Sequence, residues 1–90
     1  MITDKDMDNL RGIARLARTH ARSCEAAAEV VNAVEGAMVS FALKEADEGL
    51  DGLHFANANL DGMADLTVRV PIRQLLCDMI ERLEDSNLFE

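Results

Sequence analysis

Small and apolar residues recur at heptad spacing between Leu10 and Phe41, and they occupy the same two positions of successive heptads. Such a repeat predicts one face of an α-helix that packs against another helix. We call this predicted face the seam. It comprises Leu10, Ile13, Ala17, His20, Cys24, Ala27, Val31, Val34, Met38 and Phe41.

The start of the first helix is marked by its capping residues. Thr3 and Asp6 have the spacing of a capping box, in which each side chain bonds the other residue's backbone N–H, so we expect the helix to begin at Asp4. Gly36 weakens a helix interior, but the phase of the seam passes through it without a slip. The pattern therefore favours one continuous or gently kinked helix over residues 4–45, and the alternative is that Gly36 is a C-cap at which the first helix ends.

The middle of the chain, residues 46–69, carries conflicting signals. Gly49, Gly52 and Gly62 interrupt a stretch whose apolar residues still recur at helical spacing. We favour one or two short helices here, because a long structureless loop is unusual in so small a chain. The alternative is a β-hairpin that pairs residues 53–58 with residues 66–70, where the sequence alternates as a strand does.

A second amphipathic helix is predicted over residues 71–85. Pro71 suits the first turn of a helix, where its missing N–H costs nothing. The apolar stripe that follows is Ile72, Leu76, Met79 and Leu83. Beyond this helix stand Leu88 and Phe89, which can either fray or dock on a partner.

These elements predict an all-α fold: a single small helical domain over residues 1–90, with a long N-terminal helix packed against a shorter C-terminal one. The long helix would measure about 60 Å and the short one about 21 Å, so the short helix cannot cover the whole seam. We therefore expect a second copy to cover it, giving a helical-bundle homodimer closed by two-fold symmetry. The small residues at the centre of the seam would allow the two backbones to approach closely.

The composition supports an intracellular, acidic protein. The net charge is −8, and residues 23–65 carry nine acids and one base. Two cysteines are too few for a disulfide framework, and no apolar run is long enough to cross a bilayer, so we expect a cytoplasmic location. Arginine outnumbers lysine seven to two and alanine is abundant, which is typical of a GC-rich bacterial or phage genome.

The most specific charged feature is a row of arginines near the N-terminus, the arginine stripe, whose spacing of four, three and four places it on one helix face. It comprises Arg11, Arg15, Arg18 and Arg22. Guanidinium groups bind carboxylates and phosphates, so the stripe is a candidate site for an anion or an acidic partner. The plainer interpretation is a solvated face with internal pairs such as Asp8 with Arg11, or a contact with the acidic middle of a second copy.

No metal or cofactor site is expected. His20, Cys24, His54 and Cys77 are the zinc-type ligands, but none has the tight spacing of a zinc module. Residues 57–68 match an EF-hand loop in part, yet position twelve is valine where a bidentate glutamate is needed. No serine or cysteine lies in a nucleophile motif, so no catalytic residue is assigned and we expect a protein that is not an enzyme.

The sequence thus favours a non-catalytic, protein-binding regulator: a small inhibitor, anti-activator or chaperone that acts through a helical apolar surface. Its expected partners are a second copy of itself and another protein, with no membrane, and the net charge disfavours nucleic acid. Two other functions stay open. One is nucleotide or nucleic-acid binding through the arginine stripe, and the other is a structural role as a subunit of a larger assembly.

Overall fold

The computed structural model describes residues 2–85, and this part of the chain is an all-α bundle without β-strands. It is compact, with a radius of gyration of 12.2 Å. Its elements are α1 (Asp4–Arg18), α2 (Glu25–Ala42), α3 (Ala46–Asn59), a 3₁₀ turn (Leu60–Gly62) and α4 (Leu66–Asp85). Each helix packs on the next, and α4 packs back on α1. Leu88 and Phe89 lie outside the described residues.

The prediction of one helix over residues 4–45 is wrong, because the chain turns between α1 and α2. There the N–H of residue i+3 donates to the carbonyl of residue i, as from His20 to Ala17, and the Thr19 hydroxyl donates to the Leu16 carbonyl. Cys24 then adopts an extended conformation before α2 starts. Thr and Ser bond to nearby backbone groups and so favour turns, while no glycine or proline marks the break.

The turn also removes the argument for a second copy along the seam. Once the chain folds back, α2 packs on both α1 and α3, and α4 packs on α1, so the protein covers its own seam. The apolar residues keep heptad-like spacing on both sides of the turn, because α1 and α2 each bury one face and a buried helix face repeats at spacings of three and four. The core therefore forms within one chain, and the seam gives no evidence for or against a homodimer.

The start of α1 is as predicted. The Thr3 side chain accepts a bond from the Asp6 N–H, and the Asp6 carboxylate accepts one from the Thr3 N–H. Asp6 is buried, and its carboxylate also pairs with the Arg82 guanidinium on α4. This cap therefore ties the N-terminus of α1 to the last turn of α4.

The middle of the chain is helical, as favoured, and α3 runs antiparallel to α2 at close range. An added Cβ at Gly49 would lie 2.7 Å from the Phe41 ring, and one at Gly52 would lie 3.0 Å from the Ala37 Cβ. At the other end of the pair, a Cβ at Gly62 would lie 2.7 Å from the Ala26 Cβ. The glycines that blur the sequence pattern are thus the residues that let the two backbones approach. Gly36, by contrast, lies inside α2 without ending it.

The last helix starts earlier than predicted, at Leu66 and not at residue 71. The Asp65 carboxylate accepts bonds from the backbone N–H of Thr67, at 3.0 Å, and from its hydroxyl, at 2.6 Å, which is an N-cap arrangement. Pro71 consequently lies inside the helix. Residues 66–70, whose alternation resembled a strand, form the start of this helix, with Val68 buried and Leu66 and Val70 exposed.

Within residues 2–85, no helix combines the length and the apolar character needed to cross a membrane.

Candidate protein-binding surfaces

Most of the predicted interface is core. Seven of the ten seam residues are buried inside the chain. They are Leu10, Ile13, Ala17, Ala27, Val31, Val34 and Phe41. The other three, His20, Cys24 and Met38, are partly buried, and Cys24 contacts the Gly62 carbonyl with its Sγ, at 3.8 Å. The seam is thus corrected from an interface to the interior of the bundle, because the turn after α1 folds its two halves inward.

The arginine stripe is exposed along its whole length, but its charges are partly compensated. Arg11 pairs with Asp8 on the same helix, as predicted, with 2.5 Å between Nη1 and Oδ1. Arg18 reaches Glu35 on α2, also at 2.5 Å. For Arg15 and Arg22 no ion pair is found within residues 2–85. The stripe therefore offers two uncompensated guanidinium groups.

The most exposed apolar side chains of the described residues lie near the end of α2. Val39 is 60% exposed and Leu43 is 62% exposed. Leu43 is the C-cap of α2, and its N–H donates to the Val39 carbonyl at 3.0 Å, so the two residues lie one helical turn apart on the same side. We call this pair the α2 end surface.

Acidic groups dominate the neighbourhood of the α2 end surface. Glu35 precedes Val39 by one turn and is held by Arg18, while Lys44 and then Glu45 follow Leu43 directly. At the start of α3, the hydrogen bond that protonated Glu48 donates to the Glu45 carboxylate, together with the negative charge of Glu45, raises the pKa of Glu48. A raised pKa means that acidic charge is already crowded there.

A second apolar feature is a groove between α1 and α4. Gly12 and Leu16 line it from α1, Pro71 and Leu75 line it from α4, and Asp8 and Asn9 stand at its edge. Leu16 is 38% exposed and Leu75 is 40% exposed. An added Cβ at Gly12 would meet no atom within 4 Å, so the groove is open at this point. We call it the α1–α4 groove.

Two further apolar groups are exposed on other faces. Leu66 and Val70, one turn apart on α4, are each more than half exposed and share their helix face with Arg69 and Arg73. Arg73 pairs with Asp61 and bonds the Asn57 amide oxygen. The other group is a single aromatic side chain, Phe55 on α3, which is more than half exposed.

The four zinc-type side chains have separate surroundings. His54 faces Glu84 at 3.2 Å, and the Cys77 Sγ lies 3.9 Å from the Asn57 amide oxygen. Both cysteines are free thiols. Within the described residues, no group of three or more His, Cys, Asp or Glu side chains is placed to hold a metal ion. The segment that resembles an EF-hand is helical as far as Asn59, and Asp65 within it caps α4.

Sequence reasoning missed the α2 end surface and the α1–α4 groove. Val39 and Leu43 lie outside the heptad positions, on the outer side of α2. An apolar residue outside the seam does not by itself indicate a binding surface. The α1–α4 groove joins residues far apart in the chain. Its one visible sign is Gly12, a glycine inside a predicted helix.

Comparison of the chain with protein-family models, with curated proteins and with solved structures finds no match to any of them.

Proposed function

We propose that the protein is a non-catalytic regulator that binds another protein through the α2 end surface. The observation that carries this proposal is the exposure of Val39 and Leu43, at 60% and 62%, on one side of a helix. Aliphatic side chains at this spacing are common anchors where a helix meets a hydrophobic groove. Seven of the ten seam residues are buried, whereas this pair lies outside the seam and offers large apolar side chains to a partner.

The charges around the pair indicate the kind of partner. Residues 23–65 carry nine acids against one base, so a bound protein would match them with lysine or arginine around an apolar hollow. A small inhibitor, an anti-activator or a chaperone is the kind of regulator that we propose. A cytoplasmic location and a homodimer stay predictions from the sequence, and both are compatible with this function.

The test is affinity capture from a native extract with the purified chain as bait. Wild type should retain a partner that a Val39→Glu/Leu43→Glu double variant loses, because two charges at the centre of an apolar contact are costly to bury. A Val70→Glu variant is the matched control, since Val70 is 55% exposed on a different helix and should keep the partner. Circular dichroism should show all three baits equally helical.

Two outcomes would contradict the proposal. One is that wild type captures no protein besides itself. The other is that the double variant retains every protein that wild type captures.

The two alternative functions predict other results. Binding through the arginine stripe would give an affinity for RNA, DNA or a nucleotide that falls steeply with salt and is lost in an Arg15→Glu/Arg18→Glu variant. A structural subunit would elute as a large, discrete particle in gel filtration with light scattering.

A further inference from the structure

We infer that two copies of the chain associate through the outer face of α2, with α1 of each copy beside the start of α3 of the other. The α2 outer face comprises Gly36, Val39 and Leu43, and so includes the α2 end surface. The inference does not depend on the proposed function, although both use the same two apolar side chains.

The fold leaves this face of α2 without a cover. Within residues 2–85, α2 packs on α1 and α3, whereas α4 packs on α1 and α3 but not on α2. The helices α2 and α4 therefore lie on opposite sides of the bundle. The side of α2 that points away from α4 is open, and its residues Gly36, Val39 and Leu43 are all exposed.

The spacing of this face suits a second helix. Gly36, Val39 and Leu43 follow one another at spacings of three and four, which is how residues recur where two parallel helices pack. An added Cβ at Gly36 would meet no atom within 4 Å, so a second helix can come close at this point. Glu25 and Glu29 continue the same stripe towards the start of α2 and would repel their copies. The contact is thus confined to the second half of α2.

The edge of this face that α1 forms is basic. Arg18 on α1 lies 2.5 Å from Glu35 on α2, so the two helices are neighbours at this level. Because α1 and α2 run in opposite directions, Arg15 lies one turn farther on, at the level of Val39. Arg15 has no ion pair within residues 2–85. Bases outnumber acids along this edge, whose charged residues are Arg11, Arg15 and Arg18 with Asp8 and Glu35.

The edge that α3 forms is acidic. Gly49 faces the Phe41 ring, so the first turns of α3 flank the end of α2. The exposed charged residues here are Lys44, Glu45, Asp47, Glu48 and Asp51. None of the four acids has an ion pair within the described part of the chain. The hydrogen bond between Glu48 and Glu45 and the charges of Glu45 and Asp51 raise the pKa of Glu48, which shows that negative charge accumulates along this edge.

The two edges decide how the copies are arranged. A two-fold axis along α2 places α1 of one copy beside α3 of the other, so that each basic edge meets an acidic edge. A two-fold axis across α2 would place α1 beside α1 and α3 beside α3, where like charges repel. The charges therefore select parallel α2 helices.

This contact differs from the dimer predicted along the seam, because it uses the outer face of α2 and leaves the core of each copy intact. It joins the same surface of both copies, so it closes at two chains. The dimer also covers Val39 and Leu43. Self-association therefore competes with binding of the proposed partner and weakens it at high protein concentration.

The test uses the purified chain in sedimentation velocity, over a concentration range of about two orders of magnitude. The average mass of wild type should rise with concentration and level off at two chains. Leu43→Glu, Arg15→Glu and Glu48→Arg should each raise the apparent dissociation constant at least about tenfold, because each change occurs twice in a two-fold contact. Glu81→Arg is the control, since Glu81 is an exposed acid on α4, and it should behave as wild type. Circular dichroism should show all of these chains equally helical.

The decisive sample is an equal mixture of Arg15→Glu and Glu48→Arg. Alone, each variant sets like charges against each other, whereas a pair made of one copy of each restores opposite charges at both edges. The mixture should therefore associate as wild type does. The inference is overturned if wild type stays monomeric or grows beyond two chains, if any of the three interface variants associates as wild type does, if the mixture does not associate, or if Glu81→Arg dissociates. None of these results depends on capture of another protein, so they leave the proposed function to its own test.

Discussion

Single residues show how close the packing of this bundle is, and the glycines show it best. Gly36 lies inside α2 with open space where a side chain would stand, whereas Gly49 faces the Phe41 ring. Glycine therefore only weakens the helix at position 36, whereas at position 49 the packing requires it.

Gly36→Ala should raise the free energy of unfolding by about 0.5–1 kcal/mol, since alanine restricts the unfolded chain and favours helix. Gly49→Ala is the matched variant and should give no gain or a loss, because the new methyl group would lie 2.7 Å from an atom of the Phe41 ring. Urea denaturation followed by circular dichroism measures both. An equal gain at the two positions would show that Gly49 is not needed for packing.

The buried carboxylate of Asp6 gives a pH dependence. Burial raises its pKa, but the hydrogen bond from Arg82, the bonds from the backbone and hydroxyl of Thr3 and the charge of Arg82 outweigh burial, so the pKa is lowered overall. A lowered folded-state pKa stabilises the protein above the unfolded-state pKa, and this contribution is lost as pH falls towards the folded value.

We therefore expect Asp6→Asn to lower the free energy of unfolding by about 1–2 kcal/mol near neutral pH and by less in acid. Asp4→Asn, an exposed acid in the same first turn, is the control and should change little. Urea denaturation at about pH 7 and about pH 2.5 gives the comparison. A loss of the same size at both pH values would contradict the role of the Asp6 charge.

At the scale of elements, α2 and α3 form the most extensive helix contact among the described residues. Gly52 lies against Ala33 and Ala37, with 3.0 Å from its added Cβ to the Ala37 Cβ. A helix pair with such small residues at its contact has no room for a larger side chain.

Gly52→Leu should thus lower the free energy of unfolding by about 2 kcal/mol or more, because α3 must move away from α2. Gly12→Leu makes the same change on α1, where the added Cβ meets nothing, and should be neutral or stabilising. Thermal melts of the two variants decide the matter. If both melt at the same temperature, the close approach of α2 and α3 carries no stability.

For the whole molecule, the main question is whether the seam is a core or an interface. Val34 is fully buried in the chain's own bundle, while Leu43, the C-cap of the same helix, is 62% exposed. A charged residue at a core position must be buried without a partner or must unfold its surroundings.

Val34→Glu should consequently abolish most of the helical signal in circular dichroism, whereas Leu43→Glu should keep it. If the seam were instead an interface between folded copies, Val34→Glu would give a helical chain of lower mass. Circular dichroism combined with light scattering separates these two results.

Local interactions allowed much of the fold to be predicted from the sequence. The helical class, the capping box of Thr3 and Asp6, the passage of α2 through Gly36 and the helical middle segment all follow from residues within one or two turns of each other. The pair of Asp8 and Arg11 is of the same kind. All of these features depend mainly on residues that are close together in the sequence.

By itself, then, the sequence determined that this chain is helical, acidic and built around an apolar stripe, because propensity, charge and periodicity are local properties. Only the tertiary structure decided what covers that stripe. The turn after Arg18 carries no glycine or proline, and its stability comes from burying both halves of the seam against distant helices. The core leaves apolar surfaces exposed, which include Val39 with Leu43 and the α1–α4 groove. Neither can be located until the buried residues are known.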